Sequence, residues 1–366
     1  MMIKFFAKII LSFFPNNIRE KILNDYHQSK RNLITPNWNR NTNFKVKKKI
    51  KIGFVGAGNY SKFHLDSLKS IEGVEVDSIL SKTGKNSSKL LTKYDIKRSF
   101  TEINKFMERK VDAYFIVSSS DSLFNNAKKL FRKGKPILME KPPGFNSSQT
   151  LELTNLAKKN KTFGIVALNR RFYSDLQNGL AMLADHGPLR GAILEVPEDI
   201  SIVREKNNLS KEEYKNYFFR NSIHGFDTLR HIMGDVSNLK SLGNSNSNNN
   251  NRGLSAGAIV EHQNKLFSTV LTLWDTKPSY WRIKIIGERG FLEFSEKSVT
   301  KFTDQSLNTF YISENKVDKE FRKGNYIQTL SFLESVNDEK PKFPLCDLQD
   351  SLKTMQFMEE FNKFRK

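Results

Sequence analysis

The stretch that most restricts the fold is GFVGAGNYSKFH, Gly53 to His64, which follows the basic tract KVKKKIK. An apolar, strand-like run stops at two glycines one residue apart and passes directly into helix-compatible residues. That order lets the amides at a helix N-terminus face a pyrophosphate. Ser61 stands where the dinucleotide pattern G-x-G-x-x-G has its third glycine, so the turn by itself fits either a nucleotide or a tight structural bend.

The segments that follow narrow the fold. KIGFVG, VEVDSIL, VDAYFIVS, PILMEKP and FGIVALN have the continuous apolar character of buried strands, and KFHLDSLKSI, SSKLLTKYDI, SLFNNAKKLFRKGK and residues 151–160 alternate with them as helices. Such βαβα order predicts a doubly wound parallel sheet with right-handed crossovers, a Rossmann domain over residues 49–168. After Asn169 two helical stretches give way to β patterns, AGAIVEHQ, LFSTVLTLW, YWRIKIIGE and GFLEFSE. Residues 169–366 are therefore expected to form an α+β domain with an open, largely antiparallel sheet, closed by amphipathic helices at 324–338 and 347–364. The asparagine-rich stretch at 244–251 reads as a polar surface loop.

Residues 1–48 stand apart. Ile3, Phe6, Ile10 and Phe13 share one helical face and Lys4, Lys8 and Ser12 another, an amphipathic helix ending at Pro15 and followed by a basic linker over 32–49. The run is too short to span a bilayer and has no cleavage site of small residues, so docking on the protein's own core or a sister subunit is preferred to peripheral membrane contact through residues 1–14. The formal charge of +21 raises nucleic acid as a partner, but the lysines are scattered and no helix-turn-helix, zinc or RNA-binding aromatic pattern accompanies them. A single cysteine, Cys346, excludes an internal disulfide, and no metal-ligand spacing is visible. A cytoplasmic setting fits.

NAD-preferring sites end the second strand on an acidic residue that binds the ribose hydroxyls. Here that place holds Ser81, Lys82 and Thr83, two hydroxyls and a cation, which favours NADP and leaves NAD possible. Cofactor contacts are expected from Gly56, Gly58, Asn59 and Tyr60 in the first turn, from Ser81, Lys82 and Thr83, from Ser118 and Ser119 after the third strand of the run, and from Glu140 and Lys141.

With Glu140-Lys141-Pro142 closing a strand, NRRFY at 169–173, IHGFDTLRHIMGD at 223–235 and the terminal LCDLQDSLKTMQFMEE, the chain resembles the Gfo/Idh/MocA oxidoreductases from about residue 49 to 362. The resemblance implies a nicotinamide-dependent enzyme acting on a sugar, polyol or nucleotide-sugar hydroxyl or carbonyl, commonly as a homo-oligomer, with surface-polysaccharide synthesis as one setting. It implies Lys141 and His224 as catalytic residues, the histidine as base for the hydroxyl proton, and a substrate pocket drawing on Arg171, Tyr173, Arg220 and Asp227. Two departures stand out. Arg220 occupies the position, one helical turn before the histidine, where many members carry an aspartate, and the PxxxH pattern usual after the third strand is replaced by Ser119 and Leu123. Arg220 would suit an anionic substrate group. Loss of the aspartate also leaves open a second class, a nucleotide-binding homologue of reduced activity serving as an assembly or regulatory subunit.

Overall fold

The computed structural model describes residues 46–363 apart from 47, 86, 200–215, 244–254 and 275. The amphipathic segment at 1–14, most of the linker and the asparagine-rich stretch lie outside the described residues. The first sheet contains β1 (Ile50–Val55), β2 (Val74–Leu80), β3 (Arg98–Phe100), β4 (Ala113–Ile116), β5 (Ile137–Met139) and β6 (Gly164–Val166), with α1 (Ser61–Lys69), α2 (Ser87–Tyr94), α3 (Ile103–Met107), α4 (Ser120–Phe131) and α5 (Ser147–Lys159) between or after them. Their spatial order is β6-β5-β4-β1-β2-β3, all parallel. The direction of winding reverses between β1 and β4, and ligands of such sheets bind in the crevice at the carboxyl ends of the strands on either side of that reversal.

The second half contains α6 (Ser174–Asp185), β7 (Leu189–Glu198), α7 (Tyr217–Asn221), α8 (Ile223–Met233), β8 (Val236–Gly243), β9 (Ala256–His262), β10 (Phe267–Trp274), β11 (Arg282–Gly287), β12 (Gly290–Ser295), β13 (Thr300–Asp304) and β14 (Thr309–Ile312). It closes with α9 (Lys316–Glu320), α10 (Asn325–Asn337), β15 (Cys346–Asp347) and α11 (Leu348–Asn362). Eight of these strands form one sheet in the order β14-β13-β12-β11-β7-β10-β9-β8, antiparallel except for β7 against β10. Strict alternation along β10 buries Ser268, Val270 and Thr272 and exposes Phe267, Thr269 and Leu271, so one face meets α6 and α8 and the other is open.

The end of the chain differs from the sequence-based division at residue 169. β15 pairs antiparallel with β6 and so joins the first sheet, while α11 packs on α5 and α10 packs on α1. The reason is coverage. β1 alternates Ile52 and Phe54 toward one face and Val55 toward the other, and both faces of a parallel sheet need apolar cover. On one face, Leu330, Phe332 and Leu333 of α10 meet Leu65, Leu68 and Phe115. On the other, Met355, Phe357, Met358 and Phe361 of α11 join Leu153 and Phe131 to Phe218 and Phe226 of the second domain. Phe226 lies 5.0 Å from Phe357 and 5.2 Å from Phe361 between ring centroids, and each buried ring stabilises by about 1.5–3 kcal/mol.

A buried ion cluster crosses the same seam. Arg171, 2% exposed, donates to both carboxylate oxygens of Asp227 on α8 at 2.8 and 2.5 Å and to Asp350 on α11 at 2.6 Å. Arg230, one turn beyond Asp227, bonds Asp350 and Asp235 at 2.5 Å each and Thr354 Oγ1 at 2.9 Å. The two guanidinium groups outweigh burial and hold the Asp350 carboxyl well below the usual carboxylate range. Removing one partner strands a buried charge, so Arg171→Met is expected to lower unfolding free energy by about 3–5 kcal/mol. Urea denaturation followed by tryptophan fluorescence checks this, and a loss under about 1 kcal/mol would show that the cluster does not tie the halves together.

Candidate active site

The turn after β1 meets the demands of a dinucleotide cradle. Gly56 adopts φ +114°, and a Cβ there would stand 1.9 Å from the Val117 carbonyl oxygen at the end of β4. The space where a Gly58 side chain would project has nothing within 4 Å. One glycine lets the two strand ends approach; the other leaves backbone open to a ligand. A groove of about 650 Å³ follows, lined among others by Gly56, Ala57, Gly58, Ser81, Lys82, Ser118, Ser119, Ser122 and Asn126. Among the described side chains its lining includes no carboxylate. Ser81 is buried and its Oγ accepts from the Gly84 amide at 3.2 Å, shaping the turn after β2, while Lys82 is exposed and has no ion-pair partner among the described residues. Thr83 and Asn59 are exposed and outside this lining. The residues present fit a nicotinamide dinucleotide.

A second pocket opens at the same edge of the sheet, lined by Tyr60, Glu140, Lys141, Ala167, Asn169, Arg170, Asn221, His224, Arg322 and Asn325. Tyr60, expected with the nucleotide turn, stands here instead. Lys141 follows β5, and its Nζ donates to the Arg220 carbonyl oxygen of α7 at 2.8 Å. The carboxylate of Glu140 accepts from Nε2–H of buried His64 at 2.9 Å. Burial and the nearby arginines Arg170 and Arg220, opposed by Glu140, bring the Lys141 ammonium down to about 8. Against the penalty of burial, the His64 hydrogen bond and the charges of His64 and Lys141 hold Glu140 below its ordinary value.

His224 sits in the first turn of α8, 4% exposed, with Asn221 and Ser222 anchored on Glu198 just before it. Burial first, then Arg170, Lys141 and Arg322, push its imidazole well below 6.5. It is a neutral ring at physiological pH, and its buried Nδ1 has no hydrogen-bond partner among the described residues. The missing carboxylate at position 220 accounts for that orphan, since no acid is one turn back to accept from it.

The other expected substrate residues are placed differently. Arg171 and Asp227 are spent on each other in the seam between the domains, leaving no free face toward the pocket. Tyr173 is buried, its ring beneath Lys323 Nζ at 4.6 Å and against Phe294 at 6.1 Å. Arg220 lends its carbonyl to Lys141, and Asn221 rather than its guanidinium lines the pocket. Asn169, Arg170, Asn221, Arg322 and Asn325 were missed as pocket residues. NRRFY flagged the neighbourhood of the first two, but FRKGN carries no recognisable pattern around Arg322. Among the described residues no group of three or more His, Cys, Asp or Glu is placed to hold a metal, and no helix is long and apolar enough to cross a membrane.

Residues 50–167 match the family described as the GFO_IDH_MocA oxidoreductase family, NAD-binding Rossmann fold. A curated relative, 4-carboxy-2-hydroxymuconate-6-semialdehyde dehydrogenase of Sphingobium sp., is 29% identical over 198 residues, which cover 51% of this chain and 60% of that protein. Among solved structures, a putative NADPH-dependent oxidoreductase from Desulfitobacterium hafniense superposes with TM-score 0.74 at 14% identity, covering 86% of this chain and 95% of its own. The WlbA dehydrogenase from Bordetella pertussis, in complex with NADH and UDP-GlcNAcA, superposes with TM-score 0.69 at 14% identity, covering 88% of this chain and 97% of its own. At such identities the superpositions speak for the fold alone: one Rossmann sheet followed by one open, mostly antiparallel sheet. Over residues 50–167, its Rossmann sheet, this chain is similar to the NAD-binding domain of the Gfo/Idh/MocA oxidoreductase family.

Proposed function

We propose that the chain is a nicotinamide-dependent dehydrogenase or reductase that interconverts a hydroxyl and a carbonyl on a sugar or nucleotide sugar, with NADP as its preferred cofactor. The observation that carries this reading is the meeting of Lys141 and His224, from two domains, in one pocket beside the glycine-turn groove. A bound nicotinamide supplies the acceptor for the hydride that leaves the carbinol carbon. The protein's task is then the hydroxyl proton. Lys141, with its ammonium brought down to about 8, can take that proton in oxidation and return it in reduction. His224, neutral, orients the hydroxyl by hydrogen bonding, a division of labour that differs from the sequence-based assignment of the base to histidine. The cause is burial first and then charge: a buried ring beside three cations binds a further proton weakly.

Two features support the finer points. Among the described residues the nucleotide groove has a cation without an ion-pair partner, Lys82, and no carboxylate to repel a 2′-phosphate. The open sheet face carries exposed Ile193, Ile259, Phe267 and Leu271, suited to pairing with a second copy of the chain. The alternative of an inactive regulatory subunit is weakened by the retained lysine and histidine, and a sugar-panel assay for cofactor reduction separates the two.

Lys141→Ala and His224→Ala are each expected to lower turnover by about 10² or more with cofactor affinity held within a few-fold, as proton-handling groups should. Because Lys141 accepts a proton only when neutral, kcat/KM for oxidation should rise with pH through about 8 and that for reduction should fall through the same point. Lys141→Arg, permanently charged, should erase both limbs; pH profiles that keep them would move the proton transfer elsewhere.

For the cofactor, calorimetry should give tighter binding of NADPH than of NADH, and Lys82→Asp should narrow or reverse the ratio. Equal affinities in the unaltered protein would exclude the preference.

A further inference from the structure

The cations around the catalytic pocket are not equally satisfied. Lys141 is bonded to a backbone carbonyl, Arg170 pairs with Glu296 at 2.5 Å, and Glu140 is engaged with His64. Lys323, next to Arg322 in sequence, is neutralised twice over, by Asp175 and Glu314 at 2.8 Å each. Arg322 has no carboxylate within ion-pair distance among the described residues. It is held instead by aromatic faces, its guanidinium carbon 5.2 Å from the Phe63 ring and 6.0 Å from that of Tyr60. Ring faces fix a guanidinium in place without cancelling its charge.

The loop that carries it is also fixed. Gly324 takes a left-handed φ of +73°, its amide donates to buried Asp318 at 2.8 Å, and Asn169 Nδ2 donates to the Lys323 carbonyl at 2.8 Å. Arg322 thus presents a planar cation, uncompensated among the described residues, into a pocket whose other cations, Lys141 and Arg170, are already engaged and whose amides Asn169, Asn221 and Asn325 are neutral. A neutral polyol gives such a charge nothing to pair with, and the charge works against protonation of His224. A carboxylate or phosphate matches the guanidinium fork in two hydrogen bonds. The pyrophosphate of a cofactor is a less fitting occupant, since the lining of the glycine-turn groove does not include Arg322.

We propose that Arg322 is the residue that selects the substrate, binding a carboxylate or phosphate carried by the sugar beside the carbon that reacts, in the role that the sequence suggested for Arg220. This inference rests on the oxidoreductase reading above and names its substrate class, an acidic or phosphorylated sugar. The test is calorimetry on the full chain saturated with NADP+, titrated with glucose, glucuronate, glucose 6-phosphate and UDP-glucose, and separately with sulfate as a bare anion. Glucuronate tests the carboxylate, and the other two anionic sugars test monoester and diphosphate. At least one anionic sugar should bind about tenfold or more tighter than glucose. Arg322→Gln should weaken that sugar and sulfate by about 10- to 100-fold while cofactor affinity stays within about twofold, and Arg322→Lys should recover part of the loss. Glucose binding as tightly as every anionic sugar overturns the proposal, as does equal weakening of the cofactor by Arg322→Gln, which would assign the arginine to the pyrophosphate. If no sugar binds at all, the sugar-oxidoreductase reading fails, and sulfate still decides the site: Arg322-dependent sulfate binding upholds an anion site, and its absence removes it.

Discussion

The chemistry depends on one buried pairing, the fork of Arg171 on the carboxylate of Asp227. Arg171 follows the last parallel strand of the first sheet, and Asp227 lies on α8 one turn beyond His224. Fixing these two positions to each other fixes Lys141, on the neighbouring strand end, against the histidine of another domain. Charges this deep cost several kcal/mol each when unpaired, so the arrangement tolerates little slack. The wider cluster with Asp350 and Arg230 extends the constraint to α11, and the geometry of the pocket is therefore set by three elements distant in sequence.

Around that frame the pocket is electrostatically lopsided. Burial, reinforced by neighbouring cations, holds His224 in the neutral state, and the same two effects bring Lys141 down to about 8. Loss of a carboxylate at position 220 removes a brake on both effects. A site that keeps lysine and histidine without the aspartate is consistent with proton transfer by the lysine and with a substrate that brings its own negative charge.

Much of the first domain was legible because its signals are local: VEVDSIL is β2 residue for residue, and the two glycines of the β1 turn declare their backbone demands directly. The second domain was harder. β7, central in its sheet between β10 and β11, was missed, since LRGAILEVPE contains Gly191 and Pro197, residues that usually mark a break rather than a core strand. β15 has two residues and no pattern of its own. In the site, residue types that advertise chemistry were found, whereas direction was not: sequence spacing put Arg220 and Arg171 near the pocket, but could not tell that Arg220 holds Lys141 through its backbone carbonyl and that Arg171 turns into the seam. Arg322 escaped because what sets it apart is the want of a counter-ion among the described residues, and partners across the fold are invisible in a linear string.

The return of the chain to its first sheet also sets an order of assembly. β15 supplies the last edge of the sheet that begins with β1, and α10 and α11 cover its two faces. A chain emerging from the ribosome can form the glycine turn and its parallel strands early, but it holds them with both apolar faces incompletely covered until residues 325–362 arrive. The sheet that starts at β1 looks contiguous in sequence, yet it is completed only after the whole second sheet has been made, and removal of residues 346–362 would strike the sheet that was made first.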